Sequence, residues 1–170
     1  MTLTRAQEAL ARPGEHITAL REFFGRLLTQ EQTLRTIVEE ITDVDIRYEM
    51  GADGGSRDPL LGMWAPNLAL HTGNGISHVA DLMCAGKGVL IDLTATSALR
   101  EVAAKWTDRI QVIAGRCDER PANLDAMLVR PDGYVVWVGN SGDRDECETG
   151  LGSALEKWFG APQGSARNRP

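Results

Sequence analysis

Leu128-Val129-Arg130-Pro131-Asp132-Gly133-Tyr134-Val135-Val136-Trp137 decides the fold of this chain. Two apolar β-type runs meet at Pro-Asp-Gly, where the proline fixes φ at the first corner, the aspartate bonds its own backbone and the glycine accepts φ > 0. The pattern predicts a hairpin over 126–138. Upstream, Val89-Leu90-Ile91-Asp92-Leu93 is a nearly continuous apolar run, as expected of a central strand covered on both faces. Ser97 then caps a helix burying Leu99, Val102, Ala103 and Trp106, which leads to a strand over 110–114. Before the central strand stand a short strand at 67–70, a turn at Thr72-Gly73-Asn74-Gly75, and a short helix capped by Ser77 and burying Val79, Leu82 and Met83. A last helix buries Leu151, Leu155, Trp158 and Phe159. The fold class is therefore α/β, read as a β-α-β-α-β-β-α sandwich of thioredoxin-like order.

This core is preceded by a helical arm. From Glu15 to Leu28 the residues Ile17, Leu20, Phe23, Phe24, Leu27 and Leu28 recur at helical spacing. Thr29 with Gln32 fits a capping box opening a second helix faced by Leu34, Ile37, Val38 and Ile41. Pro13-Gly14 sets off a separate helical piece at 1–12. Residues 43–59, with Gly51, Gly54, Gly55, Ser56 and Pro59 among charges, have the composition of a linker. The expected organisation is an arm at 1–50, a linker at 51–59, the sandwich at 60–160 and a frayed tail at 161–170.

Bulk properties narrow the function classes. The 170 residues suffice for one domain with a core and an appended element, and 42% hydrophobic with 25% charged residues is ordinary for a globular protein. The net charge of −6 repels phosphate backbones and anionic lipid, so nucleic acid is not an expected partner. No apolar run approaches the ~20 residues of a membrane span, and Arg5, Glu8, Arg12 and Glu15 occupy the place of a signal-peptide core, which predicts no membrane partner and a cytoplasmic location. Cys84, Cys117 and Cys147 are widely spaced and odd in number, the usage of reduced thiols, and with His16, His71 and His78 they match no zinc-ligand spacing.

Several chemistries lack their residues. A thioredoxin-like redox protein needs a cysteine where the helix after the central strand begins, yet that stretch reads Leu93-Thr94-Ala95-Thr96-Ser97. Its companion cis-proline position falls on Leu124 or Asp125. No G-x-G-x-x-G follows a strand, Gly139-Asn140-Ser141-Gly142 is no nucleophile elbow, and Asp143, Asp145, Glu146 and Glu148 lack the frame of a calcium loop. No catalytic, cofactor-binding or metal-ligating residue is therefore assigned. Trp106, Trp158 and Trp137 are expected in the core. Trp64, in the apolar segment Leu60 to Pro66, and the face of Phe23, Phe24, Leu27 and Leu28 are the candidate interface residues, because two helices cannot wholly cover each other.

Five segments in order, Asp58-Pro59-Leu60-Leu61-Gly62-Met63-Trp64-Ala65-Pro66-Asn67-Leu68, Val89 to Leu93, Trp106-Thr107-Asp108-Arg109-Ile110, Leu128 to Trp137 and Leu155-Glu156-Lys157-Trp158-Phe159-Gly160, resemble the C-terminal region of FAD-dependent aromatic-ring hydroxylases, the enzymes that oxygenate aromatic polyketides, phenols and rifamycins. Residues 58–160 are similar to their thioredoxin-like tail domain. Residues 3–50, notably Arg5-Ala6-Gln7, Arg12-Pro13-Gly14, Leu20-Arg21 and Asp45-Ile46-Arg47-Tyr48, are similar to the closing helices that pack on the flavin and substrate domains. Asp58 stands where the family usually has a histidine. The resemblance implies that FAD and NADPH belong to the upstream part of such enzymes and that no cofactor is bound by this chain itself. It points to a non-catalytic assembly or binding domain, with a second copy (a homodimer) or a separate flavin-binding domain as partner. The alternatives are a fragment or subunit of an aromatic monooxygenase whose flavin domain is on another chain, and a small-molecule binder using Thr94, Thr96 and Ser97.

Overall fold

The computed structural model describes residues 2–42, 46–50, 58–94, 96–140 and 144–164. The chain divides into two compact units, Met1–Ile46 and Arg47–Pro170.

The first unit is helical: α1 (Thr2–Ala11), α2 (Glu15–Leu27) and α3 (Glu31–Thr42). The helix at 1–12, which the sequence leaves with little to pack on, is fastened by Arg21 of α2, whose guanidinium donates to the carbonyls of Leu10 (2.7 Å) and Arg12 (2.9 Å). Those carbonyls are end groups without helical partners, so a cation there satisfies both hydrogen bonding and the helix dipole. The Thr29–Gln32 capping box does not form. Thr29 Oγ1 instead donates back to Arg26 O (2.7 Å), closing α2, and Leu34 N–H bonds Gln30 O (3.0 Å) as α3 begins.

The second unit is a mixed α/β body. β3 (Gly88–Asp92) is fully buried and lies in a four-stranded sheet of order β4-β3-β5-β6, with β4 (Ile110–Ala114) parallel to it, β5 (Leu124–Val129) antiparallel, and β6 (Val135–Asn140) antiparallel to β5. The Pro-Asp-Gly hairpin forms as its residues dictate: Gly133 takes φ +91°, and its N–H and that of Arg130 close the turn onto Arg130 O and Tyr134 O (both 2.9 Å). Because strand side chains alternate, β3 sends Leu90 to one core with Leu99, Trp106, Leu128, Leu151 and Leu155, and Val89 and Ile91 to another with Leu70, Val79, Met127 and Val135. Helices α5 (Ala98–Ala103), its 3-10 extension Ala104–Trp106, and α6 (Arg144–Phe159) line the first core; α4 (Val79–Met83) lines the second.

The order departs from the expected one at its start. The strand at 67–70 does not enter the main sheet as a ladder: β1 (Ala69–Thr72) pairs along its length with β2 (Gly75–His78) in a hairpin of its own, closed where Thr72 Oγ1 donates to Gly75 O (3.0 Å), and meets the chain just past β4 by one isolated bridge, His71 with Arg116. Ser77 therefore sits in a strand, and α4 is capped at His78, whose N–H bonds Asp81 Oδ2 (3.2 Å).

The unit boundary also lies earlier than the linker expected at 51–59. Arg47 donates to Leu61 O (2.9 Å) and Asp58 O (2.8 Å), Tyr48 N–H bonds Gly62 O (2.9 Å), and Met50 is buried in the first core with its carbonyl held by Lys157 Nζ (2.9 Å). Asp58 likewise belongs to the body, accepting from Leu60 N–H (2.9 Å) and from Asn140 Nδ2 (3.1 Å). The linker residues 51–57, like Ser141, Asp143 and the tail at 165–170, lie outside the described residues. Of the tail expected to fray, the first residues are tied down: Arg109 donates to Ala161 O (2.8 Å) and Gln163 N–H to Lys105 O (2.9 Å).

Candidate docking surfaces

The loop after β3 is the expected place for a small ligand, and its hydroxyls are spent on one another. Thr94 donates its N–H (2.9 Å) and its hydroxyl (2.5 Å) to Oδ1 of the fully buried Asp92, and Thr94 and Thr96 share a hydroxyl contact of 3.2 Å. Ser97 stands at the N-cap of α5, but its hydroxyl goes to Glu101 Oε1 (2.7 Å) rather than to a backbone N–H. Asp92 Oδ2 accepts no hydrogen bond and faces Arg100 Nε at 3.9 Å, so the two bonds from Thr94 and this ion pair together offset the burial of the carboxylate. These bonds tie Thr94 to the end of β3 and Ser97 to α5. Among the described residues no cluster of three or more His, Cys, Asp or Glu is placed to hold a metal ion, and no helix is long and apolar enough to cross a membrane.

The tryptophans divide in two. Trp106 is buried, and its indole N–H bonds Gly160 O (2.7 Å). Trp137 occupies room made by glycines: a Cβ at Gly139 or Gly150 would come within 2.6 or 3.0 Å of its ring. Trp158 packs half-buried under the guanidinium of Arg130, 4.7 Å from the ring centroid. Trp64, by contrast, is 52% exposed.

Among the described residues, apolar side chains stand exposed on the arm and on the body. On the arm, α2 has no buried residue, and Leu20, Phe23, Phe24 and Leu28 are all exposed, with Leu27 half-buried; Phe23 and Phe24 touch only edge to face, at 6.2 Å. Leu34 and Val38 of α3 add to the exposed apolar side chains. On the body, Trp64 is one of three rings. Tyr134 is met edge to face by Tyr48 (centroids 4.7 Å apart) and by Trp64 (5.9 Å). Beside them Asp132 accepts the guanidinium of Arg130. That bond holds the Asp132 carboxyl below its ordinary range and raises Arg130 above its own, because each charge is stabilised by the other. Tyr48 and Tyr134 are not legible as site residues in the sequence. The only local sign is Gly62, which precedes Trp64 by two positions and allows the Tyr48 backbone to approach.

The body is thus a small mixed α/β unit that carries exposed aromatic side chains. This chain belongs to the aromatic-ring hydroxylase C-terminal family, whose model matches residues 58–162. It is 36% identical over 163 residues to a 12-dehydrotetracycline 5-monooxygenase/anhydrotetracycline 6-monooxygenase of Streptomyces rimosus, a match covering 94% of this chain and 31% of that enzyme. It is 35% identical over 166 residues to a rifampicin monooxygenase of Rhodococcus hoagii, covering 98% of this chain and 30% of that one. The solved anhydrotetracycline hydroxylase of Streptomyces rimosus shares its fold with a TM-score of 0.66 at 36% identity, over 94% of this chain and 32% of the other. The chain thus spans about a third of the length of the relatives it matches.

Proposed function

We propose that this chain is a non-catalytic, thioredoxin-like assembly domain whose helical arm docks on the flavin-binding portion of an aromatic-ring monooxygenase. The observation that carries the proposal is α2, a 13-residue helix with nothing buried, whose Leu20, Phe23 and Phe24, with Leu28 at its C-cap, are exposed. An apolar face of that kind marks an interaction surface, since its transfer from water is favourable by about 25 cal/mol per Å². The relatives support the choice of partner. Their similarity runs through 94% of this chain, arm included, although the family model starts only at residue 58. The arm is therefore part of the stretch shared with monooxygenases, about two-thirds of whose length this chain does not match. Oxygenation, with the FAD and NADPH it requires, takes place on the partner; this chain supplies surface and no reacting group.

Sedimentation velocity tests the reading. The flavin-loaded unmatched portion of the Streptomyces rimosus monooxygenase is expected to co-sediment with this chain, and the doubly substituted Phe23→Glu, Phe24→Glu chain to sediment apart from it. A monomer that ignores the flavoprotein refutes the proposal. A self-dimer broken by the same two substitutions refutes it too, by giving the face to a second copy.

A further inference from the structure

The turn between β1 and β2 reads Thr72-Gly73-Asn74-Gly75 and holds the only Asn-Gly bond in the sequence. A bond of this kind rearranges without an enzyme. The backbone nitrogen of the glycine loses its proton and attacks the asparagine Cγ; a succinimide ring closes and ammonia leaves. Water then opens the ring at either carbonyl to give aspartate or isoaspartate. One water is consumed for each ammonia released, and nothing is oxidised or reduced. Glycine favours the attack because it has no Cβ to obstruct the closing ring. The geometry around Asn74 leaves that path open. Residues 73–76 are all exposed, and a Cβ at Gly73 or Gly75 would meet nothing within 4 Å. Among the described residues the Asn74 carboxamide has no hydrogen-bond partner; its backbone N–H alone is held, by Thr72 Oγ1 at 3.2 Å. Thr72 and Gly75 form the last pair of a two-stranded ladder, and the ends of such a ladder open first.

The other candidates among the described residues are held. Asn67 Oδ1 accepts Ala80 N–H (2.9 Å), and the residue after it is the buried Leu68. Asn123 precedes Leu124, which is buried as well. Asn140 gives its Nδ2 to Asp58 Oδ2 (3.1 Å), and its Oδ1 is buried. Asp132-Gly133 has the same backbone as Asn-Gly, but the Asp132 carboxylate is paired with Arg130, and Gly133 N–H bonds Arg130 O (2.9 Å). We infer that Asn74 is a site of self-modification, converting through a succinimide to isoaspartate and aspartate in the folded chain. The inference is independent of the partner proposed above. Its effect is confined to the hairpin. Isoaspartate brings a side-chain carbon into the main chain and leaves one more negative charge in the turn. Thr72 Oγ1 bonds Asn74 N–H on one side of the altered linkage and Gly75 O (3.0 Å) on the other, so the lengthened backbone breaks this closure. The four-stranded sheet contains neither β1 nor β2 and keeps its pairing.

Ageing of the full chain at mildly alkaline pH, native and in urea, tests it, with peptide mapping by a fragmentation that separates isoaspartate from aspartate. In the native chain residue 74 should convert before any other asparagine, with isoaspartate among the products and ammonia released in equal amount. The rate should rise in proportion to hydroxide, because the attacking nitrogen must first lose its proton. Hydroxylamine, which attacks succinimides, should cut the ageing chain after residue 74. Asn74→Gln should abolish both the acidic species and the cut. An Asn74 that converts in urea but stays intact in the native chain overturns the inference, since the ladder then shields the bond. Earlier conversion at Asn67, Asn123 or Asn140 overturns it as well. Aspartate alone at residue 74, without isoaspartate and without the hydroxylamine cut, means direct hydrolysis and also refutes it.

Discussion

Gly62→Ala is the sharpest perturbation of the body. Gly62 has φ +80°, a conformation that costs an L side chain roughly 1–2 kcal/mol. Its new methyl would lie 2.0 Å from Tyr48 O and 3.1 Å from Tyr48 C, and both are backbone atoms that cannot swing aside as a side-chain end would. The segment at 46–50 must therefore move off. With it goes the Tyr48 N–H bond to Gly62 O, about 1 kcal/mol, and some of the burial of Met50, which as a whole is about 1.5–3 kcal/mol. The sum is on the order of 3–5 kcal/mol, a large part of the 5–15 kcal/mol typical of a domain. Urea denaturation followed by tryptophan fluorescence should show the midpoint falling accordingly. Gly152→Ala is the control: it lies in α6 with nothing within 4 Å of its Cβ, and should stabilise by up to about 1 kcal/mol through helix propensity. A Gly62→Ala chain within about 0.5 kcal/mol of the parent would refute the idea that this glycine lets the segment dock.

Three further perturbations follow from the packing. At Gly88 a Cβ would lie 2.4 Å from the Phe159 ring, so Gly88→Ala should expel the ring from β3 and cost about 1–3 kcal/mol, read as a lowered unfolding midpoint; an unchanged midpoint would contradict the packing. Trp106→Phe removes the donor to Gly160 O and leaves a void, and should cost roughly 2–3 kcal/mol in the same denaturation assay. The Arg130 hydrogen bond keeps the folded-state pKa of Asp132 below its unfolded value of 3.8, so the bond contributes stability above that pH and loses it as pH falls through the lowered folded value. Asp132→Asn should therefore flatten the acid limb of the stability curve and act little at low pH; an unaltered acid limb would contradict the pairing.

The parts of the fold set by local chemistry are legible in the sequence, and those set by distant backbone are not. Pro131, Asp132 and Gly133 specify their turn within a few residues, and the unbroken apolar run at 89–91 specifies a strand covered on both sides. The helical period in 15–28 specifies α2 and its apolar face, which is why Phe23 and Phe24 stand out from the residue pattern alone. The hairpin of β1 and β2 is hidden because Gly75, Ser77 and His78 carry no strand signature; only Thr72 closing onto Gly75 turns them into a partner strand. Thr29 and Ser77 each fit a helix cap by type and spacing, but Thr29 bonds a preceding carbonyl and Ser77 lies in a strand. Tyr48 reaches Gly62 across 14 positions by one backbone bond, a pairing with no periodicity to betray it. Trp64 is therefore visible only as a lone apolar residue, without its two neighbouring rings.

On the reading proposed above, this chain contributes surface to a flavoenzyme and carries no flavin of its own. The absorption spectrum of the purified chain, recorded after saturation with FAD and removal of the excess, tests this most directly. The expected result is a colourless protein with no visible flavin band. A yellow protein holding FAD one to one would contradict it.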